Sequence, residues 1–186
     1  MLDPRNLTFV AVSSSDLRTP VGYAQFVRLG DDEGAKRQAA SRESLLLRIF
    51  GWVFWAYYLV LAWLVGKDKS ADLEAVRAFE AEASGIDAEY WGVPERKNRW
   101  HTQSVVVKEE WQGKGIGKTL MAEVIARAEK ENVVVGLEAS EPGELMYRRV
   151  GFELLGRFKT TFGGENIVDA GGLMMWTPSK RKGFKI

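Results

Sequence analysis

Val105-Val106-Val107-Lys108-Glu109-Glu110-Trp111-Gln112-Gly113-Lys114-Gly115-Ile116-Gly117-Lys118-Thr119-Leu120 decides how the rest of this chain is read. Three consecutive β-branched residues predict a strand. Ile116, Leu120, Val124 and Ala128 recur every fourth residue and predict one apolar face of a helix. Between them stand Gly113, Gly115 and Gly117, where no Cβ keeps a ligand from the backbone. A helix entered through such a turn presents unpaired N–H groups and the positive end of its dipole, which together suit a phosphate or pyrophosphate. Lys114 and Lys118 add charge. By itself the turn fits a nucleotide, a phosphorylated cofactor or simply a sharp connection. The Walker A spacing is absent. The dinucleotide fingerprint Gly-x-Gly-x-x-Gly is absent too, because position 118 is Lys.

Downstream, Val133 to Glu138 is apolar on both faces, as a central parallel strand is. Glu141 to Val150 reads as a short helix and Phe152 to Phe158 as a strand. Gly163-Gly164-Glu165 and Gly171-Gly172 are expected to bound a loop, with Leu173 to Thr177 as the last strand and 178–186 as a basic tail.

Upstream, Leu7 to Val12, the turn Ser13-Ser14-Ser15-Asp16 and Pro20 to Leu29 predict an antiparallel hairpin. On its second arm Val21, Tyr23, Gln25 and Val27 share one face, and Ala24, Phe26 and Arg28 the other. Gly30 to Gly34 breaks the pattern, and Ala35 to Ser44 begins as a polar helix. Ser70 reads as an N-cap, Ala71 to Ser84 as a helix and Gly85 as its stop. Ile86 to Asn98 is expected to be a loop. Within it Arg96-Lys97-Asn98-Arg99 is read first as a solvated loop and second as a contact to cofactor phosphates or an acidic acceptor. Trp100 to Lys108 is the strand entering the glycine turn.

Leu45 to Val65 is almost wholly apolar, with Arg48 its only charge and Trp52, Phe54, Trp55, Tyr57, Tyr58 and Trp63 spread along it. Its length is near the roughly 20 residues of a bilayer span. The rings lie throughout the run rather than at its ends, where interfacial belts sit. That favours a buried or half-buried helix covering a face of the domain, with an interfacial helix and a span as alternatives. A single crossing would also separate the hairpin from the glycine-turn strand.

Composition narrows the classes. The 186 residues make one domain of ordinary size, or one with a modest appendage, and 46% hydrophobic residues suffice for a core. A net charge of +1 gives no global basic field for nucleic acid. The absence of Cys removes disulfides, thiolate catalysis and Cys-based zinc sites, and a single His removes a multi-histidine metal site. The N-terminus has no apolar run of the secretory kind. A reducing, cytoplasmic setting fits.

Gln112-Gly113-Lys114-Gly115-Ile116-Gly117 resembles the acetyl-CoA motif Gln/Arg-x-x-Gly-x-Gly/Ala of the GNAT-type N-acetyltransferases. The resemblance extends to Leu145-Met146-Tyr147-Arg148-Arg149-Val150-Gly151-Phe152, which stands where the family has a short helix carrying Tyr followed by Gly-Phe, and covers Trp100 to Phe158. It implies an α/β, three-layer fold over 1–186. The sheet is mixed and mostly antiparallel, with a splayed parallel pair, and 35–84 is a helical insertion. It implies acetyl-CoA as cofactor and an amine, small or peptidic, as acceptor, with no nucleic acid and no membrane. Backbone groups of Val105, Val106 and Val107 would bond pantetheine and polarise the thioester. The turn residues Gly113, Lys114, Gly115, Ile116, Gly117, Lys118 and Thr119 would bind the pyrophosphate, with Gln112 shaping the loop. Tyr147 would be the general acid toward the departing sulfur. Glu138, ending the second splayed strand, is the candidate base, directly or through water. His101 is read as structural. The family's usual opening of a strand and two helices has no counterpart before Leu7. The exposed sheet edge or apolar face this leaves is one that dimerisation would cover. A CoA-binding chain without turnover remains the rival, as does a membrane-associated protein working through 45–65.

Overall fold

The computed structural model describes residues 3–41, 45–65, 77, 85, 87–162 and 165–181. The expected helix over Ala71–Ser84 falls almost wholly outside them. A six-stranded sheet in the order β1-β2-β3-β4-β6-β5 organises the described residues. The hairpin β1 (Asn6–Val12) and β2 (Pro20–Leu29) pairs antiparallel as expected, with Phe9 opposite Ala24. β2 then pairs with β3 (Arg99–Val107), and β3 runs parallel to β4 (Val134–Ala139).

Alternation along these strands sets two faces. Phe9, Ala24, Phe26, Trp100, Val135 and Leu137 lie on one, against α4 (Ile116–Glu131), whose Leu120, Val124 and Ala128 are buried as their spacing predicts. The opposite face of β4 and β6 is covered by Tyr90 and Trp91, which pack with Val134, Leu173 and Met175. These two rings come from a stretch expected to be a loop. Instead a π-helical turn spans Asp87–Trp91, followed by the short α3 (Pro94–Lys97). Pro94 opens α3 because its missing N–H costs nothing there.

The end of the chain also differs from expectation. β5 (Glu153–Phe162) and β6 (Glu165–Trp176) form one long antiparallel hairpin, with Phe162 opposite Glu165. The residues expected as a loop between the glycine pairs are therefore strand. Gly171 and Gly172 do not break it; they stand opposite Phe158 and Arg157. α5 (Glu141–Arg149) precedes this hairpin.

Arg28 ties three elements together at one end of the sheet. Its side chain is fully buried, donating from Nε to Glu131 at 2.8 Å and from Nη2 to Asp32 at 2.6 Å. Asp32 caps α1 (Glu33–Ala40) and Glu131 ends α4. Trp100 Nε1 donates to the other Glu131 oxygen at 3.3 Å.

The apolar run forms α2 (Leu45–Val65) as expected, but its place does not match. From Ile49 to Leu64 its large side chains are exposed, so it does not cover a face of its own domain. The rings contact one another along the helix instead, Trp52 against Trp55 at 5.8 Å and Phe54 against Tyr57 at 6.4 Å. Among the described residues no helix is long and apolar enough to cross a membrane.

Candidate active site at the splayed strand pair

The parallel ladder between β3 and β4 runs from Arg99 opposite Val134 to Thr102 opposite Leu137 and stops there. β3 continues to Val107 and β4 to Ala139, so the two strand edges part beyond that point. The backbone of Val105, Val106 and Val107 thus pairs with β2 on one side and has no β4 partner on the other. A bulge at Gln103 re-aims the strand at the same level, with Thr102 facing Phe26 and Ser104 facing Gln25. Thr102 Oγ1, at the vertex, is buried with no hydrogen-bond partner among the described residues.

Beyond Val107 a 3₁₀ turn (Glu109–Trp111) leads into the glycine turn, so Glu109 and Glu110 are turn residues. Gln112 Nε2 donates to Val107 O at 3.1 Å and fixes the turn to the end of the strand. Gly113 and Gly115 have φ of 72° and 82°, the left-handed region that glycine enters without strain. A Cβ at either would meet nothing within 4 Å, so the space outside the turn is open. Gly117 differs: it lies in the first turn of α4, and a Cβ there would meet Met146 at 3.6 Å, an ordinary contact. Gly115 caps α4 without a side-chain acceptor, leaving the first N–H groups of the helix for a ligand. Lys114 lies over the Trp111 ring at 4.5 Å, at the rim of this turn. The turn therefore fits a diphosphate.

Four side chains meet on the far face of the splay. Glu138 accepts from Trp91 Nε1 at 3.0 Å on one oxygen and lies 2.9 Å from His101 Nε2 through the other. Arg99 Nε donates to His101 Nδ1 at 3.4 Å, which leaves Nε2 to carry the proton and donate to Glu138. Arg99 also lies over the Trp91 ring at 5.1 Å. Burial pushes the Glu138 carboxyl up, but hydrogen bonds from His101 and Trp91 and nearby positive charge outweigh it, and the net shift is downward. Glu138 is thus a carboxylate near neutrality, aligned by two donors.

Tyr147 projects from α5 into the core, its ring edge-on to Phe152 at 5.7 Å. The residue is 8% exposed, yet its hydroxyl is not among the buried unpaired atoms, so the oxygen reaches solvent. Burial raises its pKa, which keeps the proton on the phenol.

The basic cluster is not near the glycine turn. Arg99 starts β3 and the turn follows its end, roughly 26 Å away at ~3.3 Å per residue. Lys97 pairs with Asp31 at 2.7 Å, and Arg96 donates to Tyr90 O at 3.2 Å. Asn98 Oδ1 accepts from Asp31 N at 3.0 Å. These residues hold the end of the sheet together; they neither form a free solvated loop nor reach a cofactor phosphate.

In the sequence Glu138 and Tyr147 are the candidates, Arg99 stands only in the basic cluster, Trp91 falls in the expected loop 86–98, and His101 is read apart from Glu138. One signal pointed to Trp91. Gly136 sits in mid-strand, and a Cβ there would lie 2.7 Å from the Trp91 ring. A glycine inside a strand marks close approach by another group.

An acetyltransferase (GNAT) domain family model matches residues 75–154. No curated protein matches the chain by sequence. Among solved structures 102 chains match. Arabidopsis thaliana NAA60 in complex with a bisubstrate analogue superposes with a TM-score of 0.52 at 14% identity, covering 94% of this chain and 76% of that one. The same protein with acetyl-CoA gives 0.50 at 15% identity, over 93% and 76%. A Corynebacterium glutamicum structure of histone acetyltransferase HPA2 and related acetyltransferase gives 0.47 at 18%, and this chain spans 65% of its length. At these identities the likeness is one of fold. Among the described residues the mixed sheet with one parallel strand pair is an α/β architecture like that of these acetyltransferases. The chain's fold is GNAT-like, and residues 75–154 are similar to a GNAT acetyltransferase domain.

Proposed function

We propose that this chain, as a single GNAT-like domain, transfers an acetyl group from acetyl-CoA to an amine within a ternary complex, in the cytoplasm. The observation that carries the reading is the coincidence of three features at one place. The strand pair parts beyond Thr102 and Leu137, the glycine turn at the end of β3 is open on its outer side, and Glu138, favoured in its charged form, follows Leu137 on β4.

Acetyl-CoA, when bound, supplies an acyl group activated as a thioester. The N–H groups of Gly113 to Thr119, with Lys114 and Lys118, would hold its diphosphate, and Gln112 would keep the turn in place. The unpaired edge of Val105, Val106 and Val107 would bond pantetheine and orient the thioester carbonyl. Glu138, aligned by Trp91 and His101, would receive the proton of the acceptor amine directly or through one water. Tyr147, kept protonated by burial, would return a proton to the departing sulfur. Glu138 and Tyr147 are the catalytic pair of this scheme; Trp91, His101 and Arg99 are positioning residues. No metal is required by these roles, and no cluster of metal-ligating side chains occurs among the described residues.

Calorimetric titration with CoA alongside a thiol-release assay over a panel of amines tests the reading. CoA binding with amine-dependent thiol release is the expected result. Binding with no release for any amine would leave a CoA-binding chain without turnover.

A further inference from the structure

Two apolar surfaces in this molecule lack a cover among the described residues, and their dimensions match. The first is α2. Its large apolar side chains from Ile49 to Leu64 are 38–82% exposed. Seven of them are aromatic, and at ~150–250 Å² for a whole ring residue they alone expose on the order of 800 Å². The largest apolar patch of an ordinary monomer is about 300–600 Å². Two stripes run along α2 at helical spacing, Phe50, Phe54, Tyr57 and Leu61 on one and Trp52, Trp55, Leu59 and Trp63 on the other.

The second is the face of β1, β2 and β3 turned away from α4. Thr8, Val10, Pro20, Tyr23 and Val106 line an open cleft of about 460 Å³ there, with Lys108 at its end. Val10, Tyr23 and Val106 are exposed. Three strands at ~4.8 Å spacing make a floor about 10 Å wide, which is one helix diameter.

The chain's topology excludes a single membrane crossing by α2. The helix lies in the connection between β2 and β3, which are hydrogen-bonded neighbours, so both its ends return to one sheet. Helices lying in a membrane surface carry a charged face. α2 has none; Arg48 in its first turn is its only charge. A helix apolar on every side must be enclosed, and among the described residues nothing encloses it.

We propose that two copies of this chain pair about a two-fold axis, α2 of each lying across β1, β2 and β3 of the other. One stripe of α2 meets the sheet and the second meets its counterpart at the axis. The contact is isologous and closes on itself. The exposed rings of α2 alone offer an area on the order of the ~800 Å² per partner of a stable interface. No charge of α2 beyond Arg48 is buried, and Lys108 stays at the hydrated rim. The pairing holds whether or not the splay transfers acetyl groups.

The chain contains no Cys, so engineered thiols report without background. Val10→Cys protein is mixed with copies carrying Phe50→Cys, Phe54→Cys, Tyr57→Cys or Leu61→Cys, one at a time, and oxidised gently. Glu123→Cys on the outer face of α4 is the control. The expected result is a sedimenting dimer at micromolar concentration, disulfide-linked hetero-pairs with at least one α2 variant, and none with the control. Trp55→Glu and Val106→Lys should each give a monomer with an unchanged circular dichroism spectrum. A monomer at every concentration overturns the proposal. So does a Val10–Phe54 disulfide closing within one chain of the double variant. Binding of monomeric protein to phosphatidylserine vesicles in place of pairing would overturn it as well.

Discussion

Glu138 and Tyr147 have opposite shifts for opposite reasons, and each shift suits its proposed work. Glu138 is held in its charged form by donors, and Tyr147 in its neutral form by burial. Glu138→Gln should lower kcat about 10²-fold while CoA affinity stays the same. Its folded carboxyl titrates below the unfolded one, so it contributes stability above the ordinary value of 4.5 and loses it as pH falls through the folded value. The Tm difference between wild type and Glu138→Gln should therefore shrink as the pH is taken well below 4.5. Tyr147→Phe should lower kcat by about 10²-fold and remove an alkaline limb lying above the ordinary phenol value of 10.0. An unchanged alkaline limb in Tyr147→Phe would remove the phenol from the scheme. Their places could be read from the sequence, Glu138 near the end of an apolar strand and Tyr147 within the short helix that follows. Their partners could not: a hydrogen bond from Trp91, 47 positions away, depends on how an intervening turn packs.

Among elements, the glycine turn and the π-helical turn show how far local patterning reaches. The strand, turn and helix around Gly115 were legible because β-branched runs, glycine and a four-residue apolar repeat are local signals. Asp87–Trp91 was not, since its conformation is set by two aromatic rings settling against glycines of the sheet. Trp91 lies on Gly136 and Tyr90 on Gly156. The long β5–β6 hairpin was misread for a related reason. Its glycines suggested a loop, whereas pairing along the two strands overrides the local preference. Gly136→Ala should cost about 1–3 kcal/mol in denaturant unfolding, because its Cβ would stand 2.7 Å from the Trp91 ring. It should also slow catalysis by freeing Glu138 from Trp91. Wild-type stability and rate in this variant would contradict the packing that places the site.

For the whole molecule, the buried Arg28 joins β2, α1 and α4 at the end of the sheet opposite the glycine turn. Arg28→Met removes a buried ion network and leaves two carboxylates partly uncompensated, so a loss of about 3 kcal/mol in urea unfolding is expected. The sequence announced Arg28 only as a residue sharing a face with Ala24 and Phe26. Its acidic partners come from Asp32 nearby and Glu131, 103 positions away. Likewise the length and apolar character of α2 were plain, but its exposure depends on where the remaining layers lie.

In the proposed transferase Gly115 would shape a diphosphate site at the start of α4. Titration of CoA into the chain and into its Gly115→Val and Gly117→Ala variants measures this directly. The β-branched residue cannot adopt φ of 82° without strain, although space is free around it. Gly115→Val should therefore weaken CoA by tenfold or more, about 1.4 kcal/mol, whereas Gly117→Ala, facing Met146, should bind CoA within a few-fold of wild type. Equal CoA affinity in wild type and Gly115→Val would contradict the assignment.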